Sequence, residues 1–313
     1  MTIEEAEALE GKPTRILLIR PGCDYGGRRG VMHGLSRDKK RVLIKWDDSE
    51  NHIFPMPVKL LRQMAIMVPT PSAGPEWVHE VGAPNLPMRW YARPEGDSQK
   101  LNREPRLACW ERADHPDQVR LRAYLDDTEG LLAASRVDGP WALRLDVGLP
   151  TELDLLKDRD LDNYAYPLAD RLYDPNLVSV WCTKRHSEES FVRVEAAREV
   201  PPLLENILLA RTTGVSIEKP EYKEQVRAAV AGAPELPEGA VRLELGFVFG
   251  RHRYWLNLWK ATIDALGPLL GRDPSGKGPW CPRDGRITEL GMHQTVDPAL
   301  GHKVVIGIAA APA

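Results

Sequence analysis

From about residue 115 onward the chain runs twice through the same series of features, and this constrains its fold more than anything else in the sequence. In the first pass Gln118, Val119 and Arg120 open a helical stretch, and Trp141 to Leu149 alternates as a strand. Asn163 then leads a helix containing Asp170 and Leu172, and Asp174 precedes two strands near Val178–Thr183 and Phe191–Ala196. In the second pass Gln225, Val226 and Arg227 lie in a helical stretch, Val241 to Phe249 is the strand, and Asn257 leads a helix containing Asp264 and Leu266. Asp284 then precedes strands near Ile287–Met292 and Val304–Ile308. Asn163 to Asp170 and Asn257 to Asp264 are both steps of seven residues, and each Asp is followed two positions on by Leu. Self-similarity at a fixed order is the signature of duplicated units. The expectation is two copies of one small α/β unit, residues 115–200 and 201–313, each with a mixed sheet, folding together as a pseudo-dimer.

The chemistry candidate lies in the first copy, in Asp160-Leu161-Asp162-Asn163. Alternate residues of an extended segment face one side, so Asp160 and Asp162 are expected to converge while Leu161 enters the core. Asn163 or Asp162 is placed to cap the helix that follows. Asp174, brought back by that helix, would supply a third carboxylate. Three clustered carboxylates repel one another unless a cation neutralises them, and oxygen-only ligands suit Mg²⁺ or Mn²⁺. A solvated acidic loop with a helix cap is the plain alternative.

An Asp-x-Asp-Asn entry into a helix, Asp-x-Leu seven residues on, then an acid, a strand and a basic residue near its end resembles the RusA family of Holliday-junction resolvases. The resemblance is strongest over residues 158–196 and extends over 115–313. It implies a metal-dependent endonuclease acting on branched DNA, usually as a homodimer, with Asp160, Asp162 and Asp174 holding the metal and Lys184 in the basic position. Arg185 beside it is a candidate DNA contact. The family usually has Lys three residues after the motif Asn, where this first copy has Tyr166 and the second has Lys260. The second copy also carries Tyr254 and Leu256 in place of the first two acids and retains only Asp284. The first copy is therefore expected to be catalytic and the second to pack and to grip DNA, through Lys260, Arg251 and Arg253. A catalytically inactive DNA-binding or scaffolding role, in a repair or phage-defence assembly, is the rival reading.

Ahead of the repeats, residues 1–66 read as a small β-barrel, with Arg41–Trp46 a strand and Asp47-Asp48-Ser49 a turn. The glycine loop and this strand resemble KOW, Tudor and other SH3-like barrels. Between residues 11 and 64 twelve Lys and Arg face five acids, a local excess of seven in a chain whose net charge is -3. Arg28, Arg29, Lys39 and Lys40 are candidate phosphate contacts there. Residues 67–114 are rich in proline and read as a linker, though Trp77, Trp90 and Tyr91 are costly to leave wet and should pack elsewhere. The four cysteines are far apart and form no Cys-x-x-Cys pair, which argues against a zinc ribbon or a disulfide scaffold. The sequence has neither a signal-peptide pattern nor a long apolar run, so a cytoplasmic protein off the membrane is expected, with DNA and either a second copy or another protein as partners.

Overall fold

The computed structural model describes the strands between residues 14 and 66, and residues 87–313 apart from 136, 205 and 277. The chain divides into two units, Met1–Ala83 and Pro84–Ala313.

In the first unit β1 (Thr14–Leu18), β2 (Arg29–Leu35), β3 (Arg41–Trp46), β4 (Phe54–Pro57) and β5 (Met64–Ile66) form one antiparallel sheet in the order β4-β3-β2-β1-β5. The strand expected at 41–46 is β3. Of the expected phosphate contacts, Arg29 opens β2, while Arg28, Lys39 and Lys40 lie outside the described residues.

The second unit is mixed α/β. Its elements run β6 (Trp90–Tyr91), β7 (Gln99–Lys100), α1 (Pro116–Leu132), β8 (Trp141–Leu149), α2 (Leu161–Arg171), β9 (Leu177–His186), β10 (Phe191–Ala196), β11 (Glu199–Val200), β12 (Leu208–Thr212), α3 (Pro220–Val230), β13 (Val241–Phe249), α4 (Leu258–Asp264), α5 (Gly267–Leu270), β14 (Ile287–Val296) and β15 (Val304–Pro312). Eight of the strands make one sheet, ordered β12-β15-β13-β14-β9-β8-β10-β7. Prolines at the starts of α1 and α3 suit a first turn whose N–H groups have no partner within the helix.

The two ends of this sheet mirror each other. β8 pairs parallel with β9 and antiparallel with β10, which carries the short edge strand β7. β13 pairs parallel with β14 and antiparallel with β15, which carries the edge strand β12. Both parallel pairs begin with a register shift after their first residue, between Trp141 and Ala142 and between Val241 and Arg242. β9 and β14 join the halves by antiparallel pairing of Ser179 through Thr183 with His293 through Glu289. At its middle Gly291 faces Trp181, and a Cβ there would meet the indole at 2.9 Å.

The core lies where α1 to α5 pack on one side of the sheet, with Leu143, Leu145, Val147, Leu243, Leu245 and Phe247 buried beneath them. β8 and β13 are buried almost continuously, as strands covered on both sides must be. Part of the second cover is the segment expected as linker. Trp90 and Tyr91 are buried, Trp90 packing edge-on to His293, and β6 pairs with β11. Residues 88–101 therefore belong to the folded unit, because burying those aromatics offsets the ordering of a proline-rich stretch.

Candidate active site

The loop entering α2 has two consecutive non-glycine residues in the left-handed region, Asp158 at φ 56° and Arg159 at φ 58°. Each costs on the order of 1 kcal/mol, so something must hold them. Lys184, buried at 4% exposure near the end of β9, donates from Nζ to the carbonyls of Asp158 (3.3 Å), Arg159 (3.1 Å) and Gly285 (2.5 Å). Gly285 lies so close under the loop that a Cβ would come within 2.7 Å of the Asp158 nitrogen. Burial draws the Lys184 pKa down to about 8 against the pull of nearby carboxylates, Asp160 foremost. Lys184 thus clamps the loop before Asp160 to the turn that carries Asp284.

Asp160 is the extended residue before α2 and makes no capping hydrogen bond to the helix backbone; its Oδ2 accepts from Asn163 Nδ2 at 3.1 Å. Asp162 sits in the first turn of α2 and is buried. The expectation of an extended Asp160–Asp162 pair is corrected here, because the helix begins at Leu161. Neither Asp162 nor Asn163 is the cap. The two carboxylates converge through the helical turn instead of through strand alternation.

The charge that meets them comes from the other half of the sheet. Lys260, on α4, places Nζ 3.7 Å from Asp160 Oδ2, 3.1 Å from Asp264 Oδ1 and 3.0 Å from Asp284 Oδ2. Asp284 opens a short turn, Asp284–Arg286, directly before β14. Partial burial pulls the Lys260 pKa down, but Asp162, Asp284, Asp264 and Asp160 outweigh it and hold the ammonium charged well beyond the usual lysine range. Burial raises Asp162 to about 7; Lys260 opposes this, and Asp160, Asp284 and Asp264 add to it. Asp284 is likewise raised by burial and by Asp160, against Lys260. Sequence reasoning did not assign Lys260, Asp264 or Asp284 to this cluster. The signal was there in Lys260 and Asp284, which the resemblance puts at motif positions of the second segment.

Asp174 has other partners. Its Oδ1 accepts from Trp141 Nε1 at 3.0 Å and from the Asn176 backbone at 2.6 Å, which fixes the turn before β9. The positions read as departures from the motif, Tyr166, Tyr254 and Leu256, have partners of their own. Tyr254 donates to Asp170 Oδ1 at 2.7 Å and packs edge-on against Tyr173, Leu256 is buried, and Tyr166 donates to Asn257 Oδ1 at 3.2 Å. Tyr254 and Tyr166 thus bring neutral hydroxyls toward Asp170, while Asp160, Asp264 and Asp284 gather around Lys260.

Arg185, next to Lys184, alternates to the opposite side of the sheet and lines an open cleft of about 290 Å³ with Arg93, Arg144 and Arg193. Asp146 binds Arg144 at 2.8 Å and Arg193 at 3.3 Å inside it, and Glu289 pairs with Arg93 at 3.4 Å. Arg251 is exposed. Arg253, in contrast, spends its guanidinium on the carbonyls of Val215 and His302, which makes it a structural brace.

Oxygen-only carboxylates are the donor chemistry of Mg²⁺ or Mn²⁺. Among the described residues, however, no three His, Cys, Asp or Glu side chains stand close enough to enclose an ion as placed, since these four are spaced around an ammonium group. Among the same residues no helix is long and apolar enough to cross a membrane. No protein-family model, no curated protein and no solved structure matches the chain.

Proposed function

We propose that the chain is a Mg²⁺-dependent endodeoxyribonuclease of the RusA type, acting on branched or distorted DNA, in which two repeats form a pseudo-dimer with one composite active site. The pairing of β9 with β14 supports the pseudo-dimer. The registers of β8 with β9 and of β13 with β14 make Ser179 the counterpart of Glu289, and Thr183 that of His293. At the joint Glu289 faces Thr183 and His293 faces Ser179. Such exchange of equivalents defines a two-fold interface.

The observation that carries the reading is the sorting of the motif positions. Asp160 and Asp162 of the first repeat meet Lys260 and Asp284 of the second, and the counterparts Tyr254, Leu256, Tyr166 and Asp174 fall to the other site. Tyr166 in place of Lys is then no defect of the acidic site, which takes its lysine from the opposite repeat. Loss of function throughout would have no reason to spare every charge on one side.

Asp160, Asp162 and Asp284 would hold the cation, and Asp264 would keep Lys260 in place. A bound divalent ion supplies the positive charge that lets water attack a phosphodiester. Lys260, kept protonated by its neighbours, serves as fixed positive charge toward the phosphate and is a poor proton donor. Lys184 positions both acid-bearing turns. The exposed Lys157 and Arg159 in the loop before Asp160 would add phosphate contacts to the site, and Arg185 on the opposite side of the sheet and a KOW- or SH3-like barrel in residues 1–66 would contribute phosphate contacts of their own.

The test is cleavage of a labelled four-way junction in Mg²⁺. Asp284→Asn should lower the rate by about 10²-fold or more, and Asp174→Asn should leave it within about threefold. The reverse ranking would remove the composite site. A non-catalytic DNA-binding role has one observation in its favour, the three ion pairs that already compensate the acids. Absence of cleavage with Mg²⁺ and with Mn²⁺, alongside junction binding, would select it.

A further inference from the structure

Trp110 is 82% exposed, far more than any other large apolar side chain among the described residues. Its backbone is nevertheless fixed. Ala108 N donates to Asn163 O at 2.7 Å, Gln118 Nε2 donates to Cys109 O at 2.6 Å, and Leu107 and Cys109 pack against the core. The indole is thus presented to solvent on a pinned segment.

Its position relates it to the acidic cluster. Asn163, which receives the Ala108 N–H, is also the residue that binds Asp160. The Trp110 ring lies 6.0 Å from that of Tyr166, one helical turn beyond Asp162, and Tyr166 meets Trp259 edge-on at 6.5 Å. Trp259 immediately precedes Lys260. Trp110 therefore ends an aromatic row that runs from the buried Trp259 through Tyr166 to the surface, and it is the Asn163 contacts that tie its segment to Asp160.

We infer that Trp110 is a stacking platform for an unpaired nucleobase next to the composite site, an inference that rests on the nuclease reading. A protein-docking centre would be expected within a wider apolar patch. Trp110 is instead followed by exposed Glu111 and Arg112, the latter with only a 3.9 Å pair to Asp114. A lone exposed ring in charged surroundings suits a ligand that brings one π-face and a charged backbone. The distorted DNA to be cut supplies such bases where its strands leave the duplex.

Binding can be measured without cleavage, in chelator, by anisotropy of a fluorescein-labelled duplex carrying one unpaired 2-aminopurine. Trp110→Ala should weaken binding to the bulged DNA by roughly 5- to 100-fold, Trp110→Phe should lose much less, and affinity for the fully paired duplex should stay within about twofold. Wild type should quench 2-aminopurine fluorescence and Trp110→Ala should not. Equal affinity of Trp110→Ala for bulged DNA, an equal loss on paired DNA, or no binding by the wild type would overturn the inference. Quenching that depends on Trp110 in a protein that cuts nothing would keep the platform and discard the nuclease.

Discussion

Lys260→Met removes the charge at the centre of the acidic cluster while keeping most of the side-chain volume, so it isolates electrostatics from packing. The ammonium has three carboxylate partners at 3.0, 3.1 and 3.7 Å, but the Lys260 side chain is 47% exposed. Breaking a buried pair costs about 3–5 kcal/mol, and an exposed pair is worth about 0.2–1 kcal/mol. Solvent screening places each pair here near the upper exposed value, which sums to about 3 kcal/mol. For a unit of this size that lowers Tm by roughly 6–12 °C. The deficit should depend on pH with a definite sign. Asp162 is held at about 7 even with Lys260 opposing the rise. Without Lys260 its folded pKa goes higher still, so the folded state keeps a proton that the unfolded chain has released, and stability falls further as pH rises. The gap from wild type should therefore be larger at pH 8.5 than at pH 6. Thermal unfolding in chelator at both values measures it, and millimolar Mg²⁺ should restore part of the loss if a cation can replace the ammonium. A variant that melts within about 1 °C of wild type at pH 8.5, or a gap that shrinks with rising pH, would refute the charge balance described for this site.

Asp162→Asn should stabilise the metal-free protein, with a gain that grows between about pH 4 and pH 7 and then levels off; denaturant unfolding across that range checks it. Lys184→Met leaves buried carbonyls of the Asp158 loop and Gly285 without their donor, so it should cost about 2–3 kcal/mol, and urea unfolding measures it. Replacing Arg28, Arg29, Lys39 and Lys40 by Gln should flatten the salt dependence of duplex affinity, by about 0.9 in log–log slope for each phosphate that is no longer neutralised. An unchanged slope would assign those residues to something other than DNA.

The strands Trp141–Leu149 and Val241–Phe249 could be read to their end residues, because every second residue is apolar, Trp141, Leu143, Leu145, Val147 and Leu149 in one and Val241, Leu243, Leu245, Phe247 and Phe249 in the other, and marks one buried face. The order of elements around Asn163 and Asn257 was legible for the same local reasons. Which carboxylates meet was not. Local spacing suggests that Asp174 returns to Asp160, and only the long-range register of β9 against β14 brings Asp284 there in its stead. Tyr166 and Lys260 were misplaced likewise, since each serves the half in which it does not lie. The capping expectation failed through a shift of two or three residues in where α2 begins, the least certain quantity in any local reading.

The contact between Trp181 and Gly291 has a consequence for how such a chain can pair. Under the duplicated reading these residues are counterparts, and they face each other at the joint. In a dimer of identical subunits whatever occupies that place meets its own copy. Two tryptophans would collide there, and two glycines would leave a void. One large and one absent side chain fit, and only when the two halves differ. Each half is thereby matched to its unlike neighbour and mismatched to itself, so exchange of halves between molecules, or association of like with like, is disfavoured by shape at the very centre of the sheet.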